Sequence, residues 1–127
     1  MDIISTSREF GVKLAAGQTS SPGTLINVDS SGTGIVGSDT SSYHAHGIAL
    51  TSGAGTKATG ISQYINCYRS AQVYNSDFAY TIGGIVYLGE NGGYTQASGG
   101  TLNQPVGFAL KADTIFVDLD ATGLTTT

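Results

Sequence analysis

The chain has 127 residues, 11% of them charged, with a formal net charge of −4 and a sequence pI near 4.7. That length suits one compact domain, and five basic residues with no two adjacent cannot form the clustered cation that nucleic-acid binding requires. No apolar run approaches the roughly 20 residues of a membrane span, and the N-terminus lacks the basic and apolar stretches of a secretory signal, so cytoplasmic synthesis and no membrane partner are expected.

Nineteen glycines leave little room for long helices, so strands and turns must build the fold. In chain order, residues 1–34 read as an extended N-terminal arm with a first strand at 24–28; 7–16 is the one place with room for a helical turn, cut short by Gly11 and Gly17. A β domain is expected over 35–120, with strands at 44–50, 61–68, 85–88, 94–96, 106–110 and 114–119, read from β-branched and aromatic residues with period-two alternation. Between Leu88 and Tyr94, Gly89-Glu90-Asn91-Gly92-Gly93 supplies the positive φ angles of a tight hairpin. Residues 121–127, rich in Thr, read as a loose C-terminal tail. Gly47-Ile48-Ala49-Leu50 is echoed by Gly107-Phe108-Ala109-Leu110, which places Ile48 with Leu50, and Phe108 with Leu110, on one strand face and the alanine opposite. The echo reads either as two core strands obeying one rule or as two related β lobes on one core.

The sharpest chemical pattern is His44-Ala45-His46, since a strand would bring both imidazoles to one face within reach of one metal ion. No carboxylate ligand follows it, so the expectation is polar surface histidines and no cofactor. Gly53-Ala54-Gly55-Thr56-Lys57-Ala58-Thr59 has the composition of a phosphate loop, but Thr56 and Ala58 stand where that motif needs Gly and a hydroxyl residue, leaving an inter-strand loop. Asp118 and Asp120 share a strand face near the chain end and read as a solvated edge. Cys67, the single cysteine, reads as a small hydrophobe in a strand. No nucleophile elbow occurs, and no catalytic residue is assigned. Seven of eleven aromatics are Tyr, which combine apolar area with a hydroxyl and suit a half-buried interface.

The stretch from Phe78 to Asp118 carries Ile85-Val86-Tyr87-Leu88-Gly89, a Gly-rich hairpin ending in Tyr94-Thr95-Gln96, and Gln104-Pro105-Val106-Gly107-Phe108-Ala109-Leu110 before a final apolar strand. It resembles the small capsid decoration (cement) proteins of tailed phages, and His46 to Leu50 resembles the earlier Gly-x-Ala-Leu element of that family; together the likeness covers about the C-terminal two thirds. The resemblance implies an all-β fold, a small β-barrel or β-sandwich of β-tulip-like form with little helix. It also implies a non-enzymatic virion protein on the outer capsid surface, made in the host cytoplasm. There it would bind the major capsid protein, associate with itself as a homotrimer and stabilise contacts between shell subunits. The contacts expected are Ile3, Ile4 and Phe10 of the arm, with Tyr87 and Tyr94 of the β domain. The alternative is a trimeric head fibre or tail appendage that binds a receptor and holds metal on its axis through His44 and His46. A cupin-type metal enzyme is a third class, which lacks its third ligand here.

Overall fold

A computed structural model of the chain describes residues 2–97 and 101–119, with the backbone alone for 2–8. Among the described residues the strands are β1 (Asp2–Leu14), β2 (Thr19–Ser20), β3 (Leu25–Val28), β4 (Thr33–Val36), β5 (Gly47–Ala49), β6 (Gly53–Ala54), β7 (Tyr64–Tyr74), β8 (Ile85–Leu88), β9 (Tyr94–Thr95), β10 (Pro105–Lys111) and β11 (Thr114–Asp118). The all-β class read from the sequence is the fold observed. Five strands close a barrel in the order β1-β4-β3-β5-β7, with β7 returning to β1, and the sheet then continues from β7 through β11, β10 and β8 to β9. A short ribbon of β2 and β6 stands apart.

Strand β7 joins the two halves. Its partner β5 stops at Tyr68, and β11 takes that edge from Ser70 onward. One face of β7 therefore serves two cores in succession: Ile65 and Cys67 point into the barrel, while Ala71 and Val73 point into a second cluster under the added sheet. Strands β3 and β5 are the partition between these cores. Leu25 and Ile48 face the second cluster; Ile26 and Ala49, one residue on, face the barrel with Val12 and Leu14. A strand buried on both faces reads as an unbroken apolar run rather than an alternation, which is why Leu25-Ile26 and Ile48-Ala49 both disappear from solvent. Leu25, Ile26 and Ile48 each contribute about 1.5–3 kcal/mol on burial.

Several expectations are corrected. The segment 1–34 is not an arm, because β1 pairs antiparallel with β7 from Asp2 opposite Tyr74 to Lys13 opposite Tyr64, and Val12 and Leu14 fill the barrel. The boundary at 34/35 falls inside β4, and the possible helical turn at 7–16 is part of β1. The strand expected at 44–50 is only Gly47–Ala49, whereas that expected at 61–68 runs from Tyr64 to Tyr74. The hairpin forms where expected: Leu88 pairs with Tyr94, and Asn91 and Gly92 both take positive φ (52° and 74°). Residues 121–127 lie outside the described residues.

Candidate interaction surface

The added sheet has one dry face and one apolar face open to solvent. Along β8, β10 and β11 the inward residues Val86, Ala109, Ile115 and Val117 are fully buried. The residues alternating with them form a row on the other side: Gln72 lies opposite Phe116, Phe116 opposite Phe108, and Phe108 opposite Ile85. The rings of Phe108 and Phe116 meet at 5.8 Å with a 58° tilt, a tilted aromatic pair that lowers the free energy of the face without hiding it. Ile82, Ile85 and Phe108 remain 67, 53 and 42% exposed, and Leu110, at a bulge in β10, extends the row. The echo in the sequence thus conceals opposite outcomes. Ile48 is buried because β5 has a layer on each side, whereas Phe108 and Leu110 point outward and Ala109 holds the core position.

A second exposed apolar point lies at the far end of β7. Tyr64 starts that strand 65% exposed, and Ile61, bridged to Ala58 in the preceding turn, is 49% exposed. The Gly-rich stretch from Gly53 to Thr59 belongs to this tip. Gln63 pins it by donating from Nε2 to the Gly55 carbonyl at 2.8 Å, and Lys57 stands exposed in the turn. An open depression of about 440 Å³ nearby is lined by Gly17, Gln18, Thr19, Ser20, Ser21, Thr24, Val36 and Asn91, none of them an acid, a base or a thiol.

The histidine pair lies in irregular backbone rather than in a strand, with buried Ala45 between two half-exposed imidazoles. Side chains from β3, β7 and the loop before β10 fix this segment. Gln104 accepts from the Ala45 N–H at 2.6 Å and donates back to its carbonyl at 3.0 Å; Asn27 Nδ2 donates to the His44 carbonyl at 2.8 Å; Arg69 donates to the His46 carbonyl. His46 Nδ1 accepts the Val28 N–H at 2.8 Å, which requires a neutral ring with its proton on Nε2. His44 Nδ1 is buried without a hydrogen-bond partner. Among the described residues no group of three or more His, Cys, Asp or Glu is arranged to hold a metal ion.

Both imidazoles sit below the ordinary value of 6.5, His46 through burial, the Arg69 guanidinium and His44, and His44 through burial. Unfolded chains, whose histidines titrate normally, take up protons as the pH falls through 6.5, before the folded protein does. The stability conferred by the neutral rings is therefore complete above pH 6.5 and is lost as the pH falls toward the depressed folded values. The urea midpoint is expected to be lower at pH 5 than at pH 7.5, with the difference reduced in His46→Gln; an unchanged pH profile in that variant would show that His46 does not set it.

The expected contact residues separate into three groups. Tyr87 lies on the same face of β8 as Ile85, opposite Pro105, at the border of the apolar row. Tyr94 and Phe10 turn inward instead. The Tyr94 hydroxyl donates to the Gly23 carbonyl at 2.6 Å, its ring packs edge-on against Phe78, and burial pushes its pKa up. Phe10 packs against the barrel core. Ile3 and Ile4 lie on β1, where Ile3 pairs with Val73 and a register shift precedes Ser5; their side chains are outside the described residues. Asp118 is half-buried on β11, and Asp120 lies outside the described residues. Cys67 faces the barrel interior, where burial pushes its thiol up to about 12 and leaves it a packing residue. Sequence reasoning passed over Gln104 and the outward row; Phe108 and Leu110 sharing a face opposite Ala109 was the signal for the row, but the alternation alone does not say which face meets solvent.

No family model, curated protein or solved structure matches this chain.

Proposed function

We propose that this protein is a structural component of a phage virion that binds the outside of the mature capsid and stabilises contacts between major capsid protein subunits. The resemblance of residues 78–118 to capsid decoration proteins suggests the class. The observation that carries the reading is the presence of two exposed apolar surfaces on one β domain: the outer face of β8, β10 and β11, and the tip bearing Ile61 and Tyr64. Eight residue steps along β7 carry the chain from Tyr64 to Gln72 at the edge of the apolar row, roughly 25 Å of strand. A protein that holds neighbours together needs two contact surfaces on a scaffold that does not bend between them, and the long β1–β7 pair provides that scaffold. Each contact can be weak, because a copy tethered at one surface meets its next contact at high effective concentration.

The test is cosedimentation with DNA-filled capsids and with unexpanded procapsids, counting copies bound per particle. Saturable binding to the mature shell at a symmetric copy number is expected. Replacing the exposed tip by Ile61→Ser with Tyr64→Ser is expected to weaken that binding about 30-fold, the effect of losing a hot spot of about 2 kcal/mol. Absence of binding to either particle would overturn the proposal in favour of a head-fibre or tail-appendage role.

A further inference from the structure

We infer that the open depression between the β2 segment and the β8–β9 turn is a binding site for a neutral sugar unit, free or at the end of a glycan chain. None of its lining residues belongs to the two exposed apolar surfaces, so the inference stands apart from the shell contacts.

Its walls come from segments distant in sequence: the stretch around β2, Thr24 just before β3, Val36 at the end of β4, and Asn91 in the hairpin turn. Hydrogen bonds fix these walls. Gln18 Oε1 accepts the Val36 N–H at 2.9 Å, and the Gln18 carbonyl accepts the Gly55 N–H at 2.7 Å. The Ser20 hydroxyl donates to the Thr51 carbonyl at 3.2 Å, and Thr24 Oγ1 accepts the Ser21 N–H at 3.2 Å. Asn91 takes φ of 52°, a left-handed conformation uncommon outside glycine. The next residue, Gly92, is packed so closely that a Cβ there would lie 2.5 Å from Thr24 Cγ2 and 2.9 Å from Val36 Cγ1. The turn is therefore seated against two residues that line the depression, and it holds Asn91 at the rim. The volume of about 440 Å³ falls within the roughly 300–1,000 Å³ of small-molecule sites.

The lining selects the ligand class. It offers hydroxyls and amides, with no Lys or Arg to pair a phosphate or carboxylate and no carboxylate to hold a metal or an amine. Val36 is the one large apolar side chain among the lining residues, too little to recognise an apolar ligand. A neutral ligand that brings its own hydroxyls fits what remains. With Oε1 committed to Val36, Gln18 presents the two N–H groups of Nε2, and Asn91 presents both ends of its amide. Among the described residues neither group has a partner within the chain. A hydroxyl both donates and accepts, so the adjacent hydroxyls of one sugar ring can meet an N–H donor and an amide oxygen together.

Two-dimensional amide NMR of the full chain, titrated with the methyl glycosides of glucose, galactose, mannose and the N-acetylated hexosamines, tests the inference. At least one is expected to shift the Gln18, Thr19 and Asn91 amides saturably. Glycerol, which has hydroxyls but no ring, and the anion glucuronate are expected not to. An equal response to the free sugar and its methyl glycoside would assign the site to a single unit; a stronger response to the glycoside and to a linear trisaccharide would assign it to a glycan end. Gln18→Glu keeps the acceptor for the Val36 N–H and removes the Nε2 donors. Asn91→Gly keeps the left-handed turn, because glycine adopts positive φ freely. Each variant is expected to retain the parent circular dichroism and to weaken binding at least about 5-fold, the worth of one hydrogen bond. No glycoside response at these amides, a response that glycerol or glucuronate matches, or titrations unaltered in both variants would overturn the inference. Failure of capsid binding would leave it standing, because the measurement contains no shell.

Discussion

Removing residues 1–14 is expected to leave a chain that does not fold, rather than a folded domain that has lost a docking arm. Strand β1 pairs with β7 from Asp2 to Lys13 and closes the barrel against β4 at Lys13 and Leu14. Without it the barrel has two open edges, at β4 and β7, and Ile26, Ile65 and Cys67 lose Val12 and Leu14 from their shared core. Truncating one fully buried leucine to alanine costs about 2–5 kcal/mol. Losing Val12, Leu14 and the barrel closure together consumes most or all of the 5–15 kcal/mol that stabilises an ordinary domain. The graded form of the experiment is Leu14→Ala, expected to lower the folding free energy by about 2–5 kcal/mol in urea titrations. A truncated chain that retained its β circular dichroism and cooperative unfolding would show that β7 needs no partner on that edge. The same geometry rules out the first strand as a freely detachable capsid contact, since any shell contact through Ile3 or Ile4 must be made by a strand already committed to the sheet.

Why the first strand escaped sequence reading is a matter of environment. Phe10, Val12 and Leu14 alternate as a barrel-lining strand should, but Ser5, Thr6, Ser7, Arg8 and Glu9 precede them and give that stretch the composition of a solvated tail. The C-terminal strands were legible because each is short, alternates, and is bounded by turn residues whose positive φ the structure retains at Asn91 and Gly92. What a single strand cannot disclose is how many layers will pack on it. Gly47-Ile48-Ala49-Leu50 and Gly107-Phe108-Ala109-Leu110 are nearly the same peptide, yet β5 is a wall between two cores and β10 has one core and one open face. The tyrosines pose the same problem. Tyr87 and Tyr94 are chemically equal candidates for an interface, and only the fold shows that the Tyr94 hydroxyl reaches the Gly23 carbonyl, 71 residues away, while Tyr87 borders the exposed row. The histidine pair was visible, but its constraints were not: the Gln104 clamp and the Val28 N–H come from segments distant in sequence.

Gly107→Ala is expected to be strongly damaging for a single added methyl, with a cost above about 3 kcal/mol and a fall in melting temperature of more than about 10 °C. A Cβ at that position would lie 1.9 Å from the Phe116 carbonyl oxygen, 2.9 Å from its carbonyl carbon and 3.0 Å from the Val117 Cα. All three are backbone atoms of the paired strand, so no side-chain rotation relieves the clash, and β10 must move away from β11. Gly107 is also the register partner of Val117 on one side and Val86 on the other, both fully buried, so the displacement opens the second core. Gly17→Ala is the control: its φ of +83° carries a backbone penalty of about 1–2 kcal/mol, but nothing lies within 4 Å of the new methyl. The two variants separate strain in one residue from a collision between strands. Because Phe108 and Phe116 flank the collision, Gly107→Ala should also disrupt the outer row. A Gly107→Ala protein that melted near the parent temperature would contradict the close β10–β11 approach.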